Sequence, residues 1–241
     1  MVEFAPPALG AFPRISDWLQ FHPDGHVTIL SGRVEYGQGI TTALAQIVAE
    51  ELCLDIARIR RAAPTTGLTP DEGYTSSSIS IEHGGQALRL AAASARELLV
   101  SAARNIYRVE DADITILDGA LSVAGSSRGW TYWDLLSKVA LTAPIALNAS
   151  LSKSCVWVGK SIPRVDLEGR LSGGVFVHDL TLPGMLHGRV IRPSGLECTA
   201  QLRQDDLSSL PDVTLVKTGG FVGVVAAREE DVVAASQMLC D

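Results

Sequence analysis

Two short segments of this chain combine residue types suited to holding an anionic, heterocyclic ligand. The first is Glu35-Tyr36-Gly37-Gln38-Gly39-Ile40-Thr41-Thr42, a Gly-Gln-Gly turn that opens directly onto a run with helical periodicity. The leading N–H groups of a helix have no intrahelical acceptor, and the helix dipole favours negative charge beside them. Glycine lets a bulky ligand approach the backbone, and Gln38 offers both a donor and an acceptor to a ring edge. The same residues also describe a Gly-rich turn in which Thr41 or Thr42 caps the helix. The second segment is Gly73-Tyr74-Thr75-Ser76-Ser77-Ser78-Ile79-Ser80, with four consecutive hydroxyl residues after a glycine and a tyrosine. Hydroxyls and backbone N–H groups can together wrap a pyrophosphate without adding positive charge. An ordinary polar loop has the same composition.

Other titratable residues are expected to do structural work. His22 and His26 are four apart, the spacing of a metal pair on a helix, but Pro23 and Gly25 between them indicate a solvated turn. Strand alternation puts His187 and Arg189 on one face, in a structural role. Glu50 and Glu51 fall on the polar side of an amphipathic helix, where solvation is expected, and Asp71 and Glu72 carry no further signal. Glu35, beside the Gly-Gln-Gly turn, is expected to accept hydrogen bonds rather than to act as a catalytic base.

The elements that must position these residues follow from periodicity. A strand is predicted over 27–30, entered through the Pro23-Asp24-Gly25 turn. Ile40, Ala43, Leu44, Ile47, Val48 and Leu52 form one stripe on a helix of about fourteen residues. A second strand is expected within 56–63 and a second, Ala-rich helix over 85–106. Asp118-Gly119 between two β-like runs predicts a type I′ hairpin, and a short helix is expected near Thr131. Beyond residue 150 the runs become short and β-like, over 175–177, 185–191, 213–216 and 221–226, with turns at Pro183-Gly184, Pro193-Ser194-Gly195 and Gly219-Gly220. A helix over 229–239 closes the pattern. The expected organisation is α+β, with a mixed α/β part over 1–150 and a smaller β-rich part over 151–241.

Composition narrows the partners. With 46% hydrophobic and 20% charged residues the chain can bury a core. Its net charge of −7 and the lack of a Lys/Arg cluster argue against nucleic acid or an anionic membrane surface. Cys53, Cys155, Cys198 and Cys240 are too far apart for a CxxC motif and read as free thiols, so an iron–sulfur cluster would belong to another chain. No apolar run reaches the eighteen or so residues of a span, and the N-terminal residues do not read as a signal peptide. The expected location is cytoplasmic, or facing the periplasm as part of a complex.

In order along the chain, residues 34–44, Ala49-Glu50-Glu51-Leu52, 69–75 with Ser78, and Gly85 with Ala87-Leu88-Arg89 resemble the molybdopterin-binding subunit of the xanthine dehydrogenase and aldehyde oxidase superfamily. Within it they are most similar to the nicotinate dehydrogenase and isoquinoline 1-oxidoreductase type. Residues 158–166, 179–180 and 182–193 resemble the family's small a/b hammerhead domain. The resemblance implies oxidation of an N-heterocycle or aldehyde, with water as the oxygen source. It implies a molybdenum-molybdopterin cytosine dinucleotide cofactor, and electrons leaving through [2Fe–2S] clusters on a small partner subunit. Gly37, Gln38 and Gly39 match the family's Gly-Gln-Gly cofactor loop. Thr75, Ser76, Ser77 and Ser78 match its hydroxyl-rich loop, with Ser76-Ser77 where Ala-Gly is expected. The catalytic glutamate and a further cofactor loop of the family are not recognisable, so a large partner chain is expected to carry them. A non-catalytic binding or assembly module that keeps the fold is the alternative.

Overall fold

A computed structural model of the chain describes residues 5–108, 114–123, 129–153, 156–172, 177, 180–192, 195, 210 and 212–240. The chain divides into two compact units, Met1–Glu168 and Gly169–Asp241.

In the first unit, β1 (Leu19–Phe21) and β2 (Val27–Ile29) pair antiparallel, and β3 (Ile59–Arg61) pairs parallel to β2. A parallel pair needs a crossover, which α1 (Ile40–Leu52) supplies. The β1–β2 turn contains Gly25 at φ +86°. In that turn His22 Nε2 lies 2.8 Å from Thr28 Oγ1, and His26 Nδ1 lies 3.2 Å from Asp24 Oδ1. Ile40, Leu44, Val48 and Leu52 are buried on one face of α1. The second long helix, α2 (Gln86–Tyr107), buries Leu88, Ala91, Ala92, Ala95 and Leu99 in the same core, and its alanines allow close packing. It is entered through a π-helical turn, Ser80–Gly85.

The strands β4 (Ile114–Leu117) and β5 (Ala120–Val123) form the expected hairpin. Asp118 and Gly119 both take positive φ, as a type I′ turn requires. The Asp118 carboxylate accepts from Arg58 Nε at 2.9 and 3.0 Å and from the Asp55 N–H at 2.9 Å, which ties the hairpin to the end of α1. β6 (Trp130–Thr131) extends this sheet, and α3 (Tyr132–Leu135) starts with a Thr131–Asp134 capping box. The buried Tyr132 hydroxyl donates to the Leu52 carbonyl at 2.9 Å.

Glu50 and Glu51 correct the solvated reading. Both are buried, at 4% and 1% exposure. Glu50 accepts from the N–H groups of Val156, Trp157 and Val158 at 3.3, 2.7 and 3.0 Å. Glu51 accepts from Arg89 Nε at 2.8 Å, Arg96 Nη1 at 3.1 Å and the Ser152 N–H at 2.8 Å. The polar stripe of α1 therefore faces other chain segments rather than water. These bonds also explain why the first unit continues to Glu168, past the change of character near residue 150.

The short helix α4 (Leu167–Leu171) spans the division between the units in sequence. In the second unit, β7 (His187–Val190) and β8 (Thr214–Thr218) flank β9 (Phe221–Ala226), all antiparallel, and α5 (Glu229–Cys240) follows. Ile191, Val222, Val224, Ala226, Val232 and Ala235 form its core. His187 and Arg189 pair with Ala226 and Val224, so they share one face, as alternation predicts. The expected strand at Val175 and Phe176, the turn residues Pro193 and Ser194, and Cys155 and Cys198 lie outside the described residues. Cys53 is a partly buried free thiol. Among the described residues no helix is long and apolar enough to cross a membrane.

Removing one member of a buried ion pair leaves its partner charged and unpaired, at a cost of about 3–5 kcal/mol. Glu51→Gln is therefore expected to destabilise the chain by about 3 kcal/mol, read by urea unfolding followed through tryptophan fluorescence. A loss under about 1 kcal/mol would mean the carboxylate does not hold α1 to α2.

Candidate functional site

The Gly-Gln-Gly turn precedes α1, with Gly37 at φ +113° and Gly39, the helix N-cap, at φ +83°. Side chains are strained in this region, and glycine is not. A Cβ at either position would meet nothing within 4 Å, so the space beside the turn is open. Glu35 folds back over the end of the helix. Its Oε1 accepts from the N–H groups of Gly37 and Gly39 at 2.8 and 3.1 Å, and its Oε2 accepts from the Thr41 N–H at 2.9 Å. This corrects the expectation that these amides are free for an anionic ligand: an internal carboxylate already occupies three of them. The hydrogen-bonding role expected of Glu35 is the one it has. Gln38 braces the same turn, donating from Nε2 to the Val34 carbonyl at 2.9 Å and accepting from the Tyr36 N–H at 2.8 Å. Its exposed amide keeps a further N–H and a further lone pair.

The hydroxyl-rich loop is a tight turn. The Ile79 N–H donates to the Ser76 carbonyl at 3.3 Å, and the two residues between, Ser77 and Ser78, sit at φ +54° and +59°. Both central residues are left-handed, as in a type I′ turn. Non-glycine residues there carry strain of about 1 kcal/mol or more each, and such strain gathers at functional sites. Position 77, where the family resemblance implies glycine, is thus one whose backbone favours glycine. Ser76, Ser77 and Ser78 are exposed, and Thr75 is half-buried.

The fold sets these two loops side by side. The Val34 N–H donates to Thr75 Oγ1 at 2.9 Å, and the Tyr36 hydroxyl donates to the Thr75 carbonyl at 3.4 Å. Beneath them lies a network that the spacing of residues did not reveal. Arg33 and Glu72 form an ion pair at 3.3 Å, with side chains 0% and 1% exposed. Glu72 Oε2 also accepts from Ser31 Oγ at 2.6 Å and the Gly32 N–H at 2.8 Å, while Arg33 Nη1 donates to the Tyr74 carbonyl at 2.7 Å. A Cβ at Gly32 would meet the Pro70 carbonyl oxygen at 2.3 Å, and one at Gly84 would meet Glu72 Oε1 at 2.2 Å. The backbone contact requires glycine at 32, and a side chain at 84 would displace the Glu72 carboxylate from its place. Arg33 Nη2 is buried with no acceptor among the described residues. Among those residues no group of three or more His, Cys, Asp or Glu converges as a metal-ligand set.

The Glu35 carboxyl is pushed up by burial, but the N–H groups of Thr41, Gly39 and Gly37 outweigh this and hold it below the ordinary glutamate value. A depressed carboxyl contributes stability that is present above its unfolded value of about 4.3 and is lost as pH falls through the lower folded value. A carboxyl-carbon NMR titration of Glu35 is expected to show a midpoint below about 4.3, and Glu35→Gln is expected to remove this part of the acid dependence. A midpoint at or above the ordinary value would contradict the amide clamp.

Both loops lie within a segment that matches a known family. The family described as molybdopterin cofactor-binding domain matches residues 4–168, ending where the first compact unit ends. A subunit of nicotinate dehydrogenase from Pseudomonas putida is 35% identical across 97% of this chain, which spans 21% of that relative. The beta subunit of isoquinoline 1-oxidoreductase from Brevundimonas diminuta is 26% identical across 78% of the chain, which spans 29% of it. Among solved structures, quinoline 2-oxidoreductase from Pseudomonas putida 86 is similar over 55% of this chain and 17% of its own, at 27% identity and a TM-score of 0.42. The chain thus corresponds to between a fifth and a third of these two curated relatives. With the family match covering the whole first unit, including both loops, this chain belongs to the molybdopterin cofactor-binding domain family.

Proposed function

We propose that this chain supplies two contacts of a molybdopterin cofactor site in a molybdenum hydroxylase that oxidises an N-heterocycle or an aldehyde. One observation carries the reading. Loops centred on Gln38 and Ser77, far apart in sequence, are hydrogen-bonded to each other through Val34, Tyr36 and Thr75. In this reading Gly37, Gln38 and Gly39 present open backbone and an amide to the ring system. Thr75, Ser76, Ser77 and Ser78 present hydroxyls to the phosphates. The space over the two glycines and the buried, unpartnered Arg33 Nη2 beside the hydroxyl loop both fit such a group. When bound, the molybdenum centre supplies the oxidative hydroxylation chemistry. This chain's residues bind and orient the cofactor.

We read the cofactor as the cytosine dinucleotide form. We read the β-rich residues of the second unit as a hammerhead-type domain. The activity resides in a complex: the catalytic glutamate and the rest of the cofactor site lie outside these 241 residues, and a small subunit carries [2Fe–2S] clusters. The relatives are named as subunits of nicotinate dehydrogenase and isoquinoline 1-oxidoreductase, which supports both a complex and an N-heterocyclic substrate.

The test is to purify the chain from its native host with whatever accompanies it, then measure molybdenum and acid-released cytosine nucleotide. Near-equimolar amounts of both are expected, and Gln38→Ala is expected to lower them about tenfold. A stable monomer devoid of both would overturn the proposal. A complex that assembles without either would favour the assembly-module reading.

A further inference from the structure

The polar face of α1 leads from one end of the helix to the Gly-Gln-Gly turn. Glu50, Gln46 and Thr42 recur every four residues, so they stack along one face. Each is bonded to the segment 156–166. Glu50 holds the N–H groups of Val156, Trp157 and Val158. Gln46 Nε2 donates to the carbonyls of Trp157 and Lys160 at 2.7 and 3.0 Å. Thr42 Oγ1 accepts from the Val165 N–H at 3.1 Å. The segment therefore runs antiparallel to α1, in a register set at three successive helical turns.

That register delivers Arg164 to the loop. Asp166 accepts from Arg164 Nε at 3.1 Å and Nη2 at 2.9 Å, a two-bond fork that fixes the guanidinium plane. The remaining nitrogen, Nη1, donates to the Gly37 carbonyl at 3.0 Å, and Nη2 lies 3.5 Å from Glu35 Oε1. Glu35 holds the amides of the turn, and Arg164 holds a carbonyl of the same turn. Gly37 and Gly39 by themselves have wide conformational freedom, and these contacts remove it.

We propose that Arg164, registered by the Glu50–Gln46–Thr42 ladder, is a positioning residue for the Gly37–Gln38–Gly39 turn. The two groups are 127 residues apart in sequence. Its consequence for cofactor binding rests on the function proposed above, but the positioning itself does not. Lysine would be a poor substitute, because a point charge cannot pair with Asp166 in two bonds and aim a third at Gly37.

Backbone-amide hydrogen exchange on the full chain tests this directly. Arg164→Met is expected to speed exchange at Gly37, Gly39 and Thr41 at least tenfold, with the amides of α2 and β1–β3 unchanged. Asp166→Asn, which frees the guanidinium plane but keeps the arginine, is expected to give a smaller rise at the same three amides, and Arg164→Lys an intermediate one. Unchanged exchange at these amides in Arg164→Met, or a uniform rise across the whole unit, would overturn the proposal. Molybdenum content, measured on the same variants in the purified complex, separates the two readings. A local rise in exchange with full cofactor content upholds the positioning role and counts against the turn as a cofactor contact.

Discussion

The Glu35 carboxylate at the positive end of α1 is the interaction on which the candidate site depends. Three backbone N–H groups converge on it, that of Gly37 in the turn and those of Gly39 and Thr41 at the start of α1. A carboxylate is well matched to this task, because it accepts several bonds at once and complements the helix dipole. The outcome is a turn with three of its amides held by an internal carboxylate and its glycine faces open. The surface this turn presents is the exposed Gln38 amide and open backbone, with the Arg164 guanidinium at the Gly37 carbonyl.

The same device recurs through the first unit. Glu50, Glu51 and Glu72 are each removed from water, and each gathers donors from segments without regular structure. The strands here are only two to four residues long, so ladder hydrogen bonds alone join few segments. Burying a charge is costly unless it is paired and bonded. These carboxylates meet that condition by collecting two or more donors each, and in doing so they fix the chain at 31–33, at Ser152 and at 156–158. Arg164 extends the pattern, with a guanidinium taking the role at a carbonyl.

Local signals made most of the elements legible. The apolar stripe of α1, the alanines of α2 and the Asp118-Gly119 turn lead to the structures observed, because each depends on neighbours a few residues away. Both candidate loops were also visible, since glycine at positive φ and runs of serine are local features. Burial of Glu50 and Glu51 was not visible. A helical polar stripe looks the same whether it meets water or a returning chain segment, and that segment lies about a hundred residues downstream. The Arg33–Glu72 pair was hidden for the same reason: an isolated arginine and an acidic residue in a loop carry no pairing signal.

Residue order alone thus determined the two long helices, the closing helix, the hairpin, the two loop motifs and, through their succession, the family. Tertiary structure decided that the loops adjoin, that Glu35 already holds three amides around the start of α1, and that Arg164 reaches Gly37. The loop-to-loop and arginine contacts join residues 41 and 127 apart in sequence, and such contacts follow from packing and chain return, which no spacing rule encodes. The Gly-Gln-Gly turn was recognisable from three residues, but its shape is set by partners that only the folded chain brings to it.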